Sequence, residues 1–140
     1  VATDSTIRGN VLVNPTTKAV KVGKEEKQIV ELRIMSDVYK QNATGELEQD
    51  EAKTHPVQLT IWNETLGKSV ASLIRKGMRV VVEGQTYQHL YRVSDAERSE
   101  GKQDFFEMRC DVSNLTLALN RVESINMRQR SEEQAALAGA

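Results

Sequence analysis

The chain has 140 residues, 39% of them hydrophobic and 28% charged, with 19 Lys and Arg against 20 Asp and Glu for a formal net charge of −1. That composition suits one soluble globular domain large enough for a real core. It excludes a uniformly basic nucleic-acid coat but not a local basic stripe offset by acidic loops, and no run of about 18 apolar residues offers a membrane span. The lead Val1–Thr6 lacks the basic and apolar regions of a secretory signal. The single Cys110 allows no internal disulfide and fits a reducing cytoplasm.

Residues 1–6 read as a disordered lead. Ile7–Val13 reads as a strand, with Ile7, Val11 and Val13 on one side and Gly9 free to curve it. Asn14-Pro15 breaks it; Ala19, Val20 and Val22 add a short pairing, and Gly23–Lys27 is a charged turn. Ile29–Met35 is the second long strand and continues to Val38 and Tyr39. Residues 40–55 are polar and carry Gly45 and the acidic cluster Glu46, Glu48, Asp50 and Glu51, the composition of a long loop or hairpin tip. Val57, Leu59 and Ile61 alternate with Gln58, Thr60 and Trp62 in a third strand. Across Glu64–Lys76, Leu66, Val70, Leu73 and Ile74 recur at helical spacing, Arg75 and Lys76 crowd the last turn, and Gly77 follows as a stop.

Arg79–Tyr91 is the fourth strand, too long to stay flat, and Gly84 is its natural bulge. Residues 92–103 form a second charged loop. Phe106, Met108, Cys110 and Val112 then alternate with Phe105, Glu107, Arg109 and Asp111 in a last strand that Leu115, Leu117 and Leu119 extend. Residues 121–140 are a tail with good helix formers and weak amphipathicity, expected as a frayed or partner-dependent helix.

The order is strand, strand, strand, helix, strand, strand. This is the connectivity of the OB-fold, an all-β five-stranded Greek-key barrel with one helix between strands 3 and 4. Another five-stranded barrel or a small β-sandwich shares the same order. Alternation puts Val80, Val82 and Thr86 on one face of the fourth strand and Tyr87, His89 and Tyr91 on the other. Trp62 falls opposite Val57, Leu59 and Ile61. Rings aimed away from the core are either cross-strand packing or a platform on which unpaired bases stack. Catalysis has no counterpart: His55, His89 and Cys110 lack metal-ligand spacing, no Gly-rich phosphate loop or nucleophile elbow occurs, and the acidic cluster reads as a solvated loop. The expectation is a non-enzyme with no metal and no cofactor.

Leu73-Ile-Arg-Lys-Gly-Met-Arg-Val-Val-Val-Glu-Gly-Gln85, Ser36–Glu46 and Ile61-Trp62-Asn63 carry a resemblance. Over roughly residues 7–120 the chain resembles bacterial single-stranded DNA-binding proteins. The resemblance implies base stacking on Tyr39, Trp62 and Tyr91. The family's further aromatic before the third strand is missing, since Thr54-His55-Pro56 stands there. Tyr87 and His89 occupy places where the family often carries Arg or Lys. Cations placed to track the phosphates are Arg8, Lys18, Arg33, Lys40, Arg79 and Arg92, with Lys21, Arg75 and Arg109 behind them. The implied function is sequence-tolerant binding of single-stranded DNA in replication, recombination or repair, in the cytoplasm at the nucleoid, by a homo-oligomer with tetramer favoured over dimer. Replication or recombination proteins are the implied partners. The alternative is an OB-fold adaptor of replication restart or conjugation that binds protein first. The tail ends Ser-Glu-Glu-Gln-Ala-Ala-Leu-Ala-Gly-Ala without the family's acidic tip. This leads to the expectation of a plasmid, phage or mobile-element relative, or of a chain cut short.

Overall fold

A computed structural model describes residues 2–37 and 39–127. In chain order the elements are β1 (Thr3–Val11), β2 (Thr16–Val22), β3 (Glu25–Ser36), β4 (Tyr39–Gln41), β5 (Leu47–Gln49), β6 (His55–Ile61), α1 (Glu64–Leu73), β7 (Arg79–Tyr91), α2 (Asp95–Ser99) and β8 (Phe105–Leu117). The main sheet runs β1-β7-β8-β6-β3-β2, and a further β1–β3 pairing at Asn10↔Met35 and Val11↔Ile34 closes it into a barrel. Every pairing in it is antiparallel except β6 with β8. β1 and β2 act as one stave broken at Asn14-Pro15, so the barrel has the five staves and the helix position of the OB-fold.

Alternation builds the core. Leu32, Ile34, Val57, Leu59, Ile61, Val80, Val82 and Cys110 are fully buried, and Val70 and Ile74 of α1 close the cluster. Burial pushes the Cys110 thiol up to about 11, so it behaves as a small neutral core residue. Asn63 caps α1 by accepting the Leu66 N–H at 3.0 Å. The helix stops at Leu73, short of Arg75 and Lys76, and Leu73 lies in solvent rather than on the buried stripe. Arg75 turns back to donate to the Ala71 and Ile74 carbonyls at 2.7 and 2.8 Å, and Gly77 takes φ +92. Arg75 therefore satisfies helix-end carbonyls.

Three stretches differ from expectation. Residues 3–6 are strand rather than lead, because their backbone pairs with Glu83–Thr86 of β7. Residues 40–55 hold the β4–β5 hairpin, turned at Gly45 and tied by Asn42 Oδ1, which accepts the Thr44 and Glu46 N–H groups. The second charged loop contains α2, whose Ser94 and Glu97 form a capping box. Beyond β8 the chain makes one 3₁₀ turn, Leu119–Arg121, and residues 122–127 are irregular; the rest of the expected tail helix lies outside the described residues.

The expected irregularity at Gly84 is present, and its extra residue is Ser113 on β8: Glu83 pairs with Asn114 and Gly84 with Val112. Gly84 is required there. A Cβ would collide with the Asp111 carbonyl oxygen and sit 2.9 Å from Cys110 Sγ.

Candidate nucleic-acid interface

Residues opposite the core on β3, β6, β8 and β7 form a continuous outer face. Register fixes its rows. Arg33 faces Gln58, which faces Arg109, which faces Tyr87; Glu31, Thr60, Asp111 and Gln85 form the next row. His89 stands opposite Glu107 and Tyr91 opposite Phe105. The last two rings stack, with centroids 5.0 Å apart and planes at 29°. Trp62 lies just past the end of β6, 39% exposed, and its Nε1 donates to Asp111 Oδ1 at 3.2 Å. That bond fixes the indole's edge and leaves ring surface open.

Glu107 is the electrostatic pivot of the face. Its Oε1 accepts from Arg33 Nη2 at 3.2 Å, and its Oε2 accepts from Arg109 Nε and Nη2, each at 3.2 Å. Two guanidiniums on one carboxylate leave a local positive excess while holding both in place. The Tyr87 phenol is pushed up by burial and then by Asp111, against the opposing pull of Arg109. It stays a neutral O–H beside the arginines.

Of the expected contact residues, the structure brings Trp62, Tyr87, His89, Tyr91 and Arg33 onto this one face. Arg92 follows directly after Tyr91 and is exposed. The others are scattered. Arg79, at the opposite end of β7, donates to Asp37 at 3.0 Å and Asn10 at 3.3 Å, a partly buried pairing that ties strand ends together. Arg8 pairs across from Val81 on β1 and is exposed. Lys18 lies on β2 with its ammonium 3.9 Å from Glu31. Lys40 lies in the β4–β5 hairpin opposite Glu48. Tyr39 pairs with Gln49 through its backbone, and its side chain lies outside the described residues.

Sequence reading missed the partners that organise the face: Glu107, Asp111 and the ring of Phe105. Parity put all three on the right side of β8. Only the β7–β8 register, which shows Tyr91 meeting Phe105, reveals that they belong together. Phe106 shares the parity of Met108 and Cys110 but is 67% exposed, because the end of the β7–β8 hairpin runs past its pairings with β1 and β6.

No protein-family model matches the chain, and no curated protein sequence is similar to it. Solved structures are. The small single-stranded DNA-binding protein from Streptomyces coelicolor superposes with a TM-score of 0.68 at 16% identity, over 86% of this chain and 97% of that one. The Plasmodium falciparum SSB in complex with ssDNA gives 0.60 at 17% identity, over 82% and 93%. The mitochondrial single-stranded DNA binding protein Rim1 from S. cerevisiae gives 0.52 at 14%, over 84% and 95%. At such identities the likeness is one of fold. The chain is an OB-fold barrel of the form those proteins have.

Proposed function

We propose that the chain binds single-stranded DNA without strong sequence preference, on the outer face of β3, β6, β8 and β7. One observation carries this reading: Trp62, Tyr87, His89 and the stacked Tyr91–Phe105 pair share a single face with the guanidiniums of Arg33 and Arg109. Rings with open faces accept any base, and cations between them neutralise phosphates, so recognition needs no particular base edge. The OB-fold supports the same reading, since its barrel face is a common seat for oligonucleotides. Tyr39, Lys40, Arg92, Lys18, Arg8 and Arg79 remain proposed outer contacts along the strand's path, with Arg79 the weakest because Asp37 already engages it. No catalysis is proposed. The roles proposed for this binding are protection of single strands in replication, recombination or repair, in the cytoplasm at the nucleoid, with replication or recombination proteins as partners and a mobile-element origin for the chain.

The chain's single Trp reports directly on binding. Oligo-dT is expected to quench its fluorescence and duplex DNA to leave it unchanged. Equal quenching by both would overturn single-strand selectivity.

A second reading, an adaptor that binds protein first, is favoured by one observation. The face is partly self-neutralised: Arg33 and Arg109 share Glu107, Lys18 faces Glu31, and Asp111 takes the Trp62 N–H. No response to either DNA would favour it.

We also propose a homo-oligomer, tetramer before dimer. Thr3–Gly9 pairs with β7 along one edge, while β3 pairs only with Asn10 and Val11, so among the described residues the other edge of Thr3–Gly9 has no strand beside it. A monomer mass by light scattering at micromolar concentration would sink this proposal.

A further inference from the structure

β6 and β8 run parallel but pair over only Gln58–Thr60 and Arg109–Asp111. Upstream of that contact the strands separate, and Pro56 offers no backbone donor to bridge the gap. The separation leaves a cleft of about 270 Å³ between Pro56 and the overhanging start of β8. Phe106 and Met108 form its apolar side, and Arg33, Gln88 and Glu107 give it polar groups. Its size falls just below the roughly 300–1,000 Å³ of pockets for drug-sized ligands, so it suits a single ring system.

We propose that this cleft takes one unstacked nucleobase of the bound strand, with Phe106 against its ring and Arg33 at its polar edge. The inference rests on the single-strand binding proposed above. Three observations carry it. Phe106 is two-thirds exposed, far more than a ring in a packed core. Arg33 lines the cleft with 42% of its side chain exposed, and Glu107 engages its Nη2; the guanidinium carries further N–H donors that a base carbonyl or ring nitrogen can meet, and a partner's Phe or Leu side chain cannot. Phe105 also lines the cleft and stacks on Tyr91, so the cleft opens from the ring-bearing face and a strand on that face reaches it without leaving the protein. The arrangement adds a base contact that a flat stacking platform lacks.

The test is Phe106→Ala on the full chain, titrated with oligo-dT and with an abasic strand of the same length, alongside Phe106→Trp. Loss of one base contact is expected to weaken oligo-dT binding by about 5- to 140-fold, the usual stacking energy converted at tenfold per 1.4 kcal/mol. The abasic strand is expected to bind both proteins equally, and Phe106→Trp to retain oligo-dT affinity. Unchanged oligo-dT affinity in Phe106→Ala overturns the cleft and leaves single-strand binding standing. An equal loss on both strands, or a change in mass by light scattering, also overturns it, because Phe106 then acts through shape or assembly. Failure of the unmodified chain to bind oligo-dT overturns the single-strand reading itself, and the cleft with it.

Discussion

The two halves of β7 make the most instructive contrast in the molecule. From Arg79 to Glu83 the strand is a barrel stave: Val80 and Val82 are fully buried, and β1 and β8 flank it. From Tyr87 to Tyr91 the same strand keeps β8 but has no partner from β1 in register, and it carries Tyr87, His89, Leu90 and Tyr91 into partial or full exposure. Between the halves lies Gly84, where β8 approaches too closely for a side chain. The lesson is that fold and recognition occupy successive segments of one strand, with alternation unbroken through both. The first half binds inward with even-numbered residues, and the second presents odd-numbered residues outward.

Substitutions in the barrel core and on the outer face should then separate in the same way as the two halves of β7. The largest effect is expected inside the barrel: Leu59→Ala, at a fully buried site, should cost about 2–5 kcal/mol of stability, read from the denaturant midpoint. Loss of binding without loss of stability there would break the contrast. Gly84→Ala should cost about 1–3 kcal/mol, since the added methyl meets backbone that cannot move aside, and it should lower the melting temperature. On the outer face, Trp62→Ala should weaken oligo-dT binding by about 1–3 kcal/mol, the range usual for single-strand-binding OB-folds, with the melting temperature unchanged. Tyr91→Ala should do the same more weakly, because Phe105 remains. If either unfolds the protein, that ring is core.

A chemical probe sharpens the inward side. With its pKa raised by burial from the ordinary 9.0 to about 11, Cys110 should resist thiol reagents at pH 8 until the chain is denatured. The sign of the linkage follows: the folded state favours the protonated thiol, so this contribution is complete below pH 9 and is lost as pH rises toward about 11. The smallest effect is expected at the tail. Residues 121–140 hold Arg121, Arg128 and Arg130 against Glu123, Glu132 and Glu133, a net charge of zero. Deleting residues 124–140 should leave affinity unchanged, along with a log–log salt slope of about −0.7 per neutralised phosphate. A rise in affinity at low salt, with mass intact, would show that the tail competes for the face.

How much of this was readable beforehand depends on range. Period-2 alternation found the third, fourth and fifth staves nearly to the residue, because burial of Val57, Leu59, Ile61, Val80 and Val82 leaves only one usable phase. Gly77 and Gly84 marked a turn and a bulge because backbone geometry there tolerates little else. The start of β1 was not legible: Thr3–Thr6 has no apolar pattern of its own and is strand only because β7 lies beside it. Leu73 was misplaced because the helix ends one turn before its last basic residues. On the outer face, individual rings could be placed by parity, but the Arg33–Glu107–Arg109 link joins β3 to β8 across 74 residues of chain, and no local pattern announces it.

Ser113 carries a consequence of another kind. Val112 and Leu115 are both buried although they lie three positions apart, an odd spacing that a regular strand cannot turn to the same side. The inserted residue acts like a shift of reading frame written into the backbone. Before it, even-numbered residues of β8 spell the core; after it, odd-numbered ones do. Were β8 to pair straight through Ser113 without the bulge, a single frame would run on, and the hydrophobic message downstream of it, Leu115 and Leu117, would be read out to water.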